Sequence, residues 1–279
     1  MFNYTKKLMT RTLAVGVVGA VFSLSSMSVM AFKEPGKIIV GSDVTFFPYE
    51  YMENNKPAGF DIEFLAGLSK VMGRKAEIID TRWANLIPGL RGNRFDILAS
   101  AMYITADRLK VIDLVPYLKT GDSILTVKGS GFQPKTPEEL CGHSIGSMAG
   151  TGWLQELRKV SVEYCEANGL EPMHIREFPT DPQATQAMLS GSVEAQMTDA
   201  AVASGVVDKL RGRVVISSDT LIYPVLNGFG IKKGNDEVKN ALVKGIEEYS
   251  KTPEYDALLK KYNFQAPTVE DIKTIMPKI

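Results

Sequence analysis

From residue 38 onward, short apolar runs bounded by turn residues alternate with helix-length amphipathic stretches. That alternation restricts the fold more than any other feature. A strand followed by a helix hides its apolar face only if the helix lies on a sheet, so the pattern specifies an α/β chain. The expected strands lie at 38–40, 76–80, 95–99, 123–128, 144–147, 175–178, 193–198, 214–217 and 225–232. The expected helices lie at 61–72, 86–91, 153–168, 182–190, 200–209, 236–250 and 253–262, with a helical turn at 108–112. Gly169 ends the helix at 153–168, and Asp61 and Glu63 place negative charge in the first turn at 61–72, where the helix dipole favours it. Thr136 and Glu139 have the spacing of a capping box around a short helix. There is no internal repeat.

The first 31 residues stand apart. Lys6, Lys7 and Arg11 precede an apolar core at 13–22, and Val29-Met30-Ala31 ends a run of small residues. This is a Sec signal peptide with cleavage expected after Ala31. The core is well short of the roughly 20 residues a membrane span needs. No cysteine follows it to carry a lipid, so a free periplasmic protein is expected. Cys141 and Cys165 are the only cysteines. A lone pair in an oxidising compartment forms a disulfide. Its loop of about 25 residues gives roughly 3 kcal/mol by chain entropy. His143 and His174 are the only histidines, so no metal site and no cofactor are expected. Lys plus Arg and Asp plus Glu both number 32. That balance excludes a general nucleic-acid binder or a polybasic membrane binder. The 279 residues suffice for two modest lobes.

Two segments carry a family resemblance. Gly41-Ser42-Asp43-Val44-Thr45-Phe46-Phe47-Pro48-Tyr49 follows the first strand, and Gly59-Phe60-Asp61-Ile62-Glu63 opens the first helix. Together they resemble the N-terminal signature of the family 3 bacterial solute-binding proteins, although Ser69 departs from the usual pattern. The order of elements is similar to that family over the whole exported chain. The resemblance implies a type II periplasmic binding protein fold of two α/β lobes. Residues 32–121 with 224–279 would form lobe 1 and residues 122–223 lobe 2. Two crossings, near 119–124 and 220–226, would act as a hinge that closes on a ligand. It also implies a monomer that passes a small zwitterion to the membrane permease of an ABC importer.

An amino-acid ligand needs a cation for its carboxylate, an anion for its ammonium and a shaped wall. The segment Ser100-Ala101-Met102-Tyr103-Ile104-Thr105-Ala106-Asp107-Arg108 resembles the family's clamp, which implies that Arg108 holds the carboxylate with its planar fork. Gly150, Thr151 and Gly152 form a turn before a helix, where backbone N–H groups favour an anion. The resemblance puts the ammonium on Asp199, which is also a good N-cap for the helix at 200–209. Asp43 is a second candidate anion. Phe46, Trp83 and Tyr103 would wall the pocket and could stack on a delocalised cation, with Ser100 and Ala101 beside them; Phe47 is expected in the core. Tyr103 and Ala101 depart from the Ser, Thr or Gly common in the family. Glutamine, a basic amino acid, an opine or ectoine all fit at this point.

Enzyme motifs are missing: no G-x-S-x-G, HExxH, P-loop or dinucleotide fingerprint is present. A periplasmic cyclohexadienyl dehydratase, acting on prephenate or arogenate with the same fold, is the alternative, with Asp199 as its acid. A fused membrane sensor is not expected, because the chain shows no membrane segment after the exported part.

Overall fold

The computed structural model describes residues 32–277. The signal peptide reading therefore lies outside the described residues.

The chain opens with β1 (Lys37–Ser42), an apolar strand buried along its length. A small antiparallel sheet follows: β2 (Thr45–Phe46), β3 (Glu50–Glu53) and β4 (Lys56–Ala58). The sequence analysis missed it because its strands are too short to show a period. Gly59 then turns the chain into α1 (Phe60–Val71) at φ 116°. A Cβ there would lie 2.4 Å from the Tyr49 carbonyl oxygen, so only glycine fits. β5 (Lys75–Asp80), α2 (Leu86–Arg91), β6 (Ile97–Leu98) and α3 (Ala106–Val111) complete the first run. β7 (Ile112–Val127) begins eleven residues before the strand expected at 123–128. Asp113, Pro116 and Lys119 interrupt its apolar pattern and hid its first half.

The second run contains β8 (Ser144–Met148), α4 (Gly152–Val160), β9 (His174–Phe178), α5 (Asp181–Leu189), β10 (Ala195–Asp199), α6 (Ala200–Lys209) and β11 (Val214–Ile216). The helix expected at 153–168 is α only to Val160; a π-helical turn and a 3₁₀ turn carry it to Gly169, which ends it at φ 69°. The capping box at Thr136 does not form. Pro137–Leu140 is a 3₁₀ turn, and the Glu139 N–H bonds the Thr136 carbonyl rather than its side chain. The Glu139 carboxylate accepts instead from the Lys135 N–H at 2.7 Å. Cys141 and Cys165 are joined in a disulfide. β12 (Ile222–Lys232) then returns, followed by α7 (Asp236–Tyr249), α8 (Pro253–Tyr262) and α9 (Val269–Ile275). The last helix, also missed, carries a genuine capping box between Thr268 and Asp271.

The main sheet has the order β5-β1-β6-β12-β7-β10-β8-β9, with β11 also on β7. β7 and β12 are antiparallel and run through both lobes. One end of the pair, near Gly230 and Ile231, joins β6 and the parallel strands of the first lobe. The other, Asp122–Val127, joins β10 and β11 of the second. The first lobe is anchored by buried rings: Tyr117 stacks on Phe229 at 4.1 Å, and Phe64 meets both edge-on or tilted. Each such side chain gives about 1.5–3 kcal/mol on burial. Two lobes joined by two continuous strands put a cleft between the carboxyl ends of β1, β8 and β10, the usual ligand position in open α/β sheets.

Candidate functional site

The walls of the cleft meet closely and leave about 10 Å³ of free space, room for about one water molecule. Of the residues selected from sequence, Asp43, Phe46, Trp83, Ser100, Ala101 and Thr151 line it. Glu50, Met148 and Trp153 complete the lining and were not anticipated. Phe46, at the end of β2, lies parallel to Trp153 of α4, with centroids 6.1 Å apart and planes at 7°. The first lobe thus meets the second through apolar faces across the cleft.

Arg108 sits at its rim, on α3, whose N-cap Thr105 fixes the turn by accepting from the Arg108 N–H. Its guanidinium lies 5.1 Å from the centre of the Trp83 ring. Nη1 donates to the Tyr103 carbonyl at 2.7 Å and Nη2 to the Gly150 carbonyl at 3.1 Å. Burial pulls its pKa down to about 10, which leaves it charged at neutral pH. Among the described residues it forms no ion pair with any carboxylate. This half-buried fork has donors to spare and no counter-charge, a set suited to an anion. Gly150, at φ 72°, also accepts from Trp83 Nε1 at 3.3 Å, so its carbonyl gathers two side chains of the other lobe. Thr151 caps α4 by accepting from the Leu154 N–H, and Gly152 begins that helix. A Cβ on Gly152 would sit 3.1 Å from the Tyr103 ring.

The acids divide into three situations. Asp43, just past β1, accepts from Arg82 at 2.9 Å, Thr45 Oγ1 at 2.8 Å and the Trp83 N–H at 2.7 Å. Its charge is neutralised, and it holds Trp83 in place. Asp199 is indeed the N-cap of α6, accepting from the Ala201 and Val202 N–H groups. It is fully buried and also accepts from the hydroxyls of Tyr49, Tyr103 and Thr120 at 2.8–3.0 Å. It stands behind Tyr103 and does not line the cleft. The Tyr103 hydroxyl also reaches Asp122 Oδ1 at 2.8 Å and the Gly121 carbonyl at 3.0 Å. One proton cannot serve all three acceptors. Burial, with Asp199 nearby, pushes the Asp122 pKa well above the usual carboxylate range, and burial raises Asp199 as well.

The third situation is Glu50 on β3. It is fully buried; its Oε1 accepts from Ser100 Oγ at 2.8 Å, and its carboxyl is hydrogen-bonded to that of Asp61. Ser100 Oγ in turn accepts from the Asp43 N–H at 3.1 Å. Burial, then the nearby Asp61, raise the Glu50 pKa well above normal. Asp61 is not the solvated dipole partner its place in the first turn of α1 suggested. It is buried, accepts from the Tyr117 hydroxyl at 2.8 and 2.9 Å and from the Ala101 N–H at 2.9 Å, and its pKa is raised to about 6, chiefly by burial. The last bond fixes Ala101 in a left-handed conformation at φ 42°. Phe47, expected in the core, lies instead half-buried against the second lobe, where a Cβ on Gly205 of α6 would be 2.6 Å from its ring. Lys209 Nζ sits 3.4 Å from the centre of that ring. In sequence, the signal for Glu50 was an acid set inside an aromatic run, Phe46 to Tyr51. That for Trp153 was a large ring straight after a glycine turn.

Two antiparallel connecting strands, two lobes and a cleft with charged groups at its edges define a receptor of the type II periplasmic binding fold. Residues 38–266 match the bacterial extracellular solute-binding proteins, family 3, and the chain belongs to that family. It is similar to the L-cystine-binding protein TcyJ of Escherichia coli (strain K12), with 27% identity over 263 residues, 90% of this chain and 95% of that one. The histidine-binding periplasmic protein of Salmonella typhimurium is 29% identical over 252 residues, 87% of this chain and 93% of its own. Among solved structures, an ancestral arginine-binding protein bound to arginine superposes with a TM-score of 0.74 at 30% identity, covering 81% of this chain and 98% of that one.

Proposed function

We propose that this protein captures a polar amino acid between its lobes in the periplasm and delivers it to the permease of an ABC importer. The observation that carries this reading is Arg108: a half-buried guanidinium at the rim of an aromatic cleft, with no carboxylate paired to it among the described residues. Its relatives bind cystine, histidine and arginine, all of which carry the same α-carboxylate.

In this reading Arg108 and the turn at Gly150, Thr151 and Gly152 hold the carboxylate. Asp199 takes the α-ammonium. The Tyr103 hydroxyl swings to Asp122, which it already reaches, and leaves Asp199 Oδ2 with the Thr120 hydroxyl and room for a further donor. Phe46, Trp83 and Trp153 cover the body of the ligand, with Ser100 and Ala101 beneath it. Residues 32–121 with 224–279 and residues 122–223 move as two bodies, and closure excludes water, strengthening each charged contact. Residues 1–31 direct export and are removed after Ala31. The protein acts as a monomer and a binder, not a catalyst.

The test is calorimetry on purified protein, unfolded and refolded to strip any carried ligand, against the common amino acids, ectoine, opines and prephenate. One amino-acid class should bind, and Arg108→Ala should weaken it about 100-fold or more, since two charge-assisted hydrogen bonds go. Undiminished binding by Arg108→Ala would remove the clamp. Conversion of prephenate to phenylpyruvate would replace the receptor with a dehydratase.

A further inference from the structure

The two acids that line the cleft, Asp43 and Glu50, are each answered from within the protein. The Glu50 carboxyl is hydrogen-bonded to that of Asp61, a bond that needs a proton between them. Asp43 is buried; its Oδ1 accepts from Arg82 Nη1 at 2.9 Å and from Thr45 Oγ1 at 2.8 Å, and its Oδ2 accepts from the Trp83 N–H at 2.7 Å. Arg82 belongs to the turn after β5 and does not line the cleft; its side chain is 46% exposed. It also pairs with Asp80, an exposed acid that water screens, so Asp43 is its buried partner. Behind the cleft, Asp199 is taken by hydroxyl and backbone donors, and the reading above gives it to the α-ammonium.

A buried acid with a fixed counter-ion has no need of a second cation. A cation brought beside Asp43 gives up its water, meets an acid already neutralised, and faces the Arg82 charge. An acidic side chain meets only oxygens on Asp43, since Arg108 is taken by the α-carboxylate. Resting on the receptor reading above, we propose that Arg82 is a specificity-determining residue: by cancelling the Asp43 charge from outside the cleft, it restricts the ligand to amino acids with an uncharged side chain. Arg82 touches no ligand and acts through Asp43. Without it, Asp43 is a buried acid that lacks a counter-charge, and a cationic side chain supplies one. Exclusion of basic ligands then depends on this repulsive element rather than on the shape of the walls.

Calorimetry on protein stripped of carried ligand makes the test. Citrulline and arginine are the matched pair, equal in length and shape and different in charge; glutamine and ornithine are a shorter pair. On wild-type protein the neutral member should bind about tenfold or more tighter, because the cation is desolvated without a partner. Arg82→Gln should bring the two members to within a factor of about three, or reverse them, by strengthening the cationic one. Arg82→Lys, which keeps the charge, should retain the wild-type preference. If Arg82 merely held Trp83 in place through Asp43, Arg82→Gln would weaken both members equally, and that result overturns the proposal. Tighter binding of arginine or ornithine by wild-type protein also overturns it while keeping the receptor, and decides even if no variant folds. Across the common amino acids, a tightest ligand with an uncharged side chain supports the proposal and one with a charged side chain refutes it. Binding of no amino acid removes both the proposal and the receptor reading beneath it.

Discussion

Gly205 gives the sharpest test of lobe closure, because one methyl group there acts in opposite directions on the two states. It lies in the interior of α6, buried, at an ordinary negative φ. In a helix, Gly→Ala gains about 1 kcal/mol. A Cβ at this position would stand 2.6 and 2.7 Å from Cε1 and Cδ1 of Phe47, where carbon contacts settle at about 3.5–4 Å. The ring must therefore retreat by roughly 1 Å. It is held by Tyr51, with centroids 4.9 Å apart, and by Lys209 on its face. Overpacking of this kind costs about 1–3 kcal/mol. Phe47 belongs to the first lobe and Gly205 to the second, so the cost falls on the closed form alone. Gly205→Ala should raise the melting temperature of the unliganded protein yet weaken ligand binding about 5- to 150-fold. Adding Phe47→Ala should restore most of that loss, a non-additivity that marks direct contact. Calorimetry and thermal melts on the four proteins of the cycle make the measurement. Unchanged affinity in Gly205→Ala, or the same loss with and without Phe47, would refute the idea that this contact forms only on closure.

Reducing the Cys141–Cys165 bond, which spans 24 residues, should cost roughly 3 kcal/mol and lower the urea midpoint; an unmoved midpoint would mean that the loop is held by its other contacts. Asp181 is buried beside Thr198 Oγ1, and burial lifts its pKa to about 7, while Asp61 rises to about 6. Acids with raised folded-state pKa values contribute fully below their unfolded pKa, near 4, and lose that contribution as pH climbs through the folded value. Urea stability should thus fall from pH 4 to pH 8. Asp181→Asn, isosteric with the protonated acid, should flatten that slope and be the more stable protein at pH 8. A variant with the wild-type slope would show that Asp181 ionises freely in the fold.

The sequence by itself determined what depends on near neighbours in the chain. The strand and helix order, the bounds of α6 at Ala200–Lys209, the cap at Asp199 and the helix stop at Gly169 all follow from spacings of a few residues. The disulfide followed from having two cysteines and an export signal. Tertiary structure alone decided how the buried acids are partnered. Asp199 is bonded to Tyr49, 150 residues away, and Asp61 to Tyr117, 56 away. No local pattern carries such pairings. The same holds for Phe47, an aromatic in an aromatic run whose destination depends on a glycine in α6. Glu50 in sequence is one acid among 32 acidic residues. Only packing, by taking away its water and setting it between the Ser100 hydroxyl and the Asp61 carboxyl, pushed its pKa well above the usual carboxylate range.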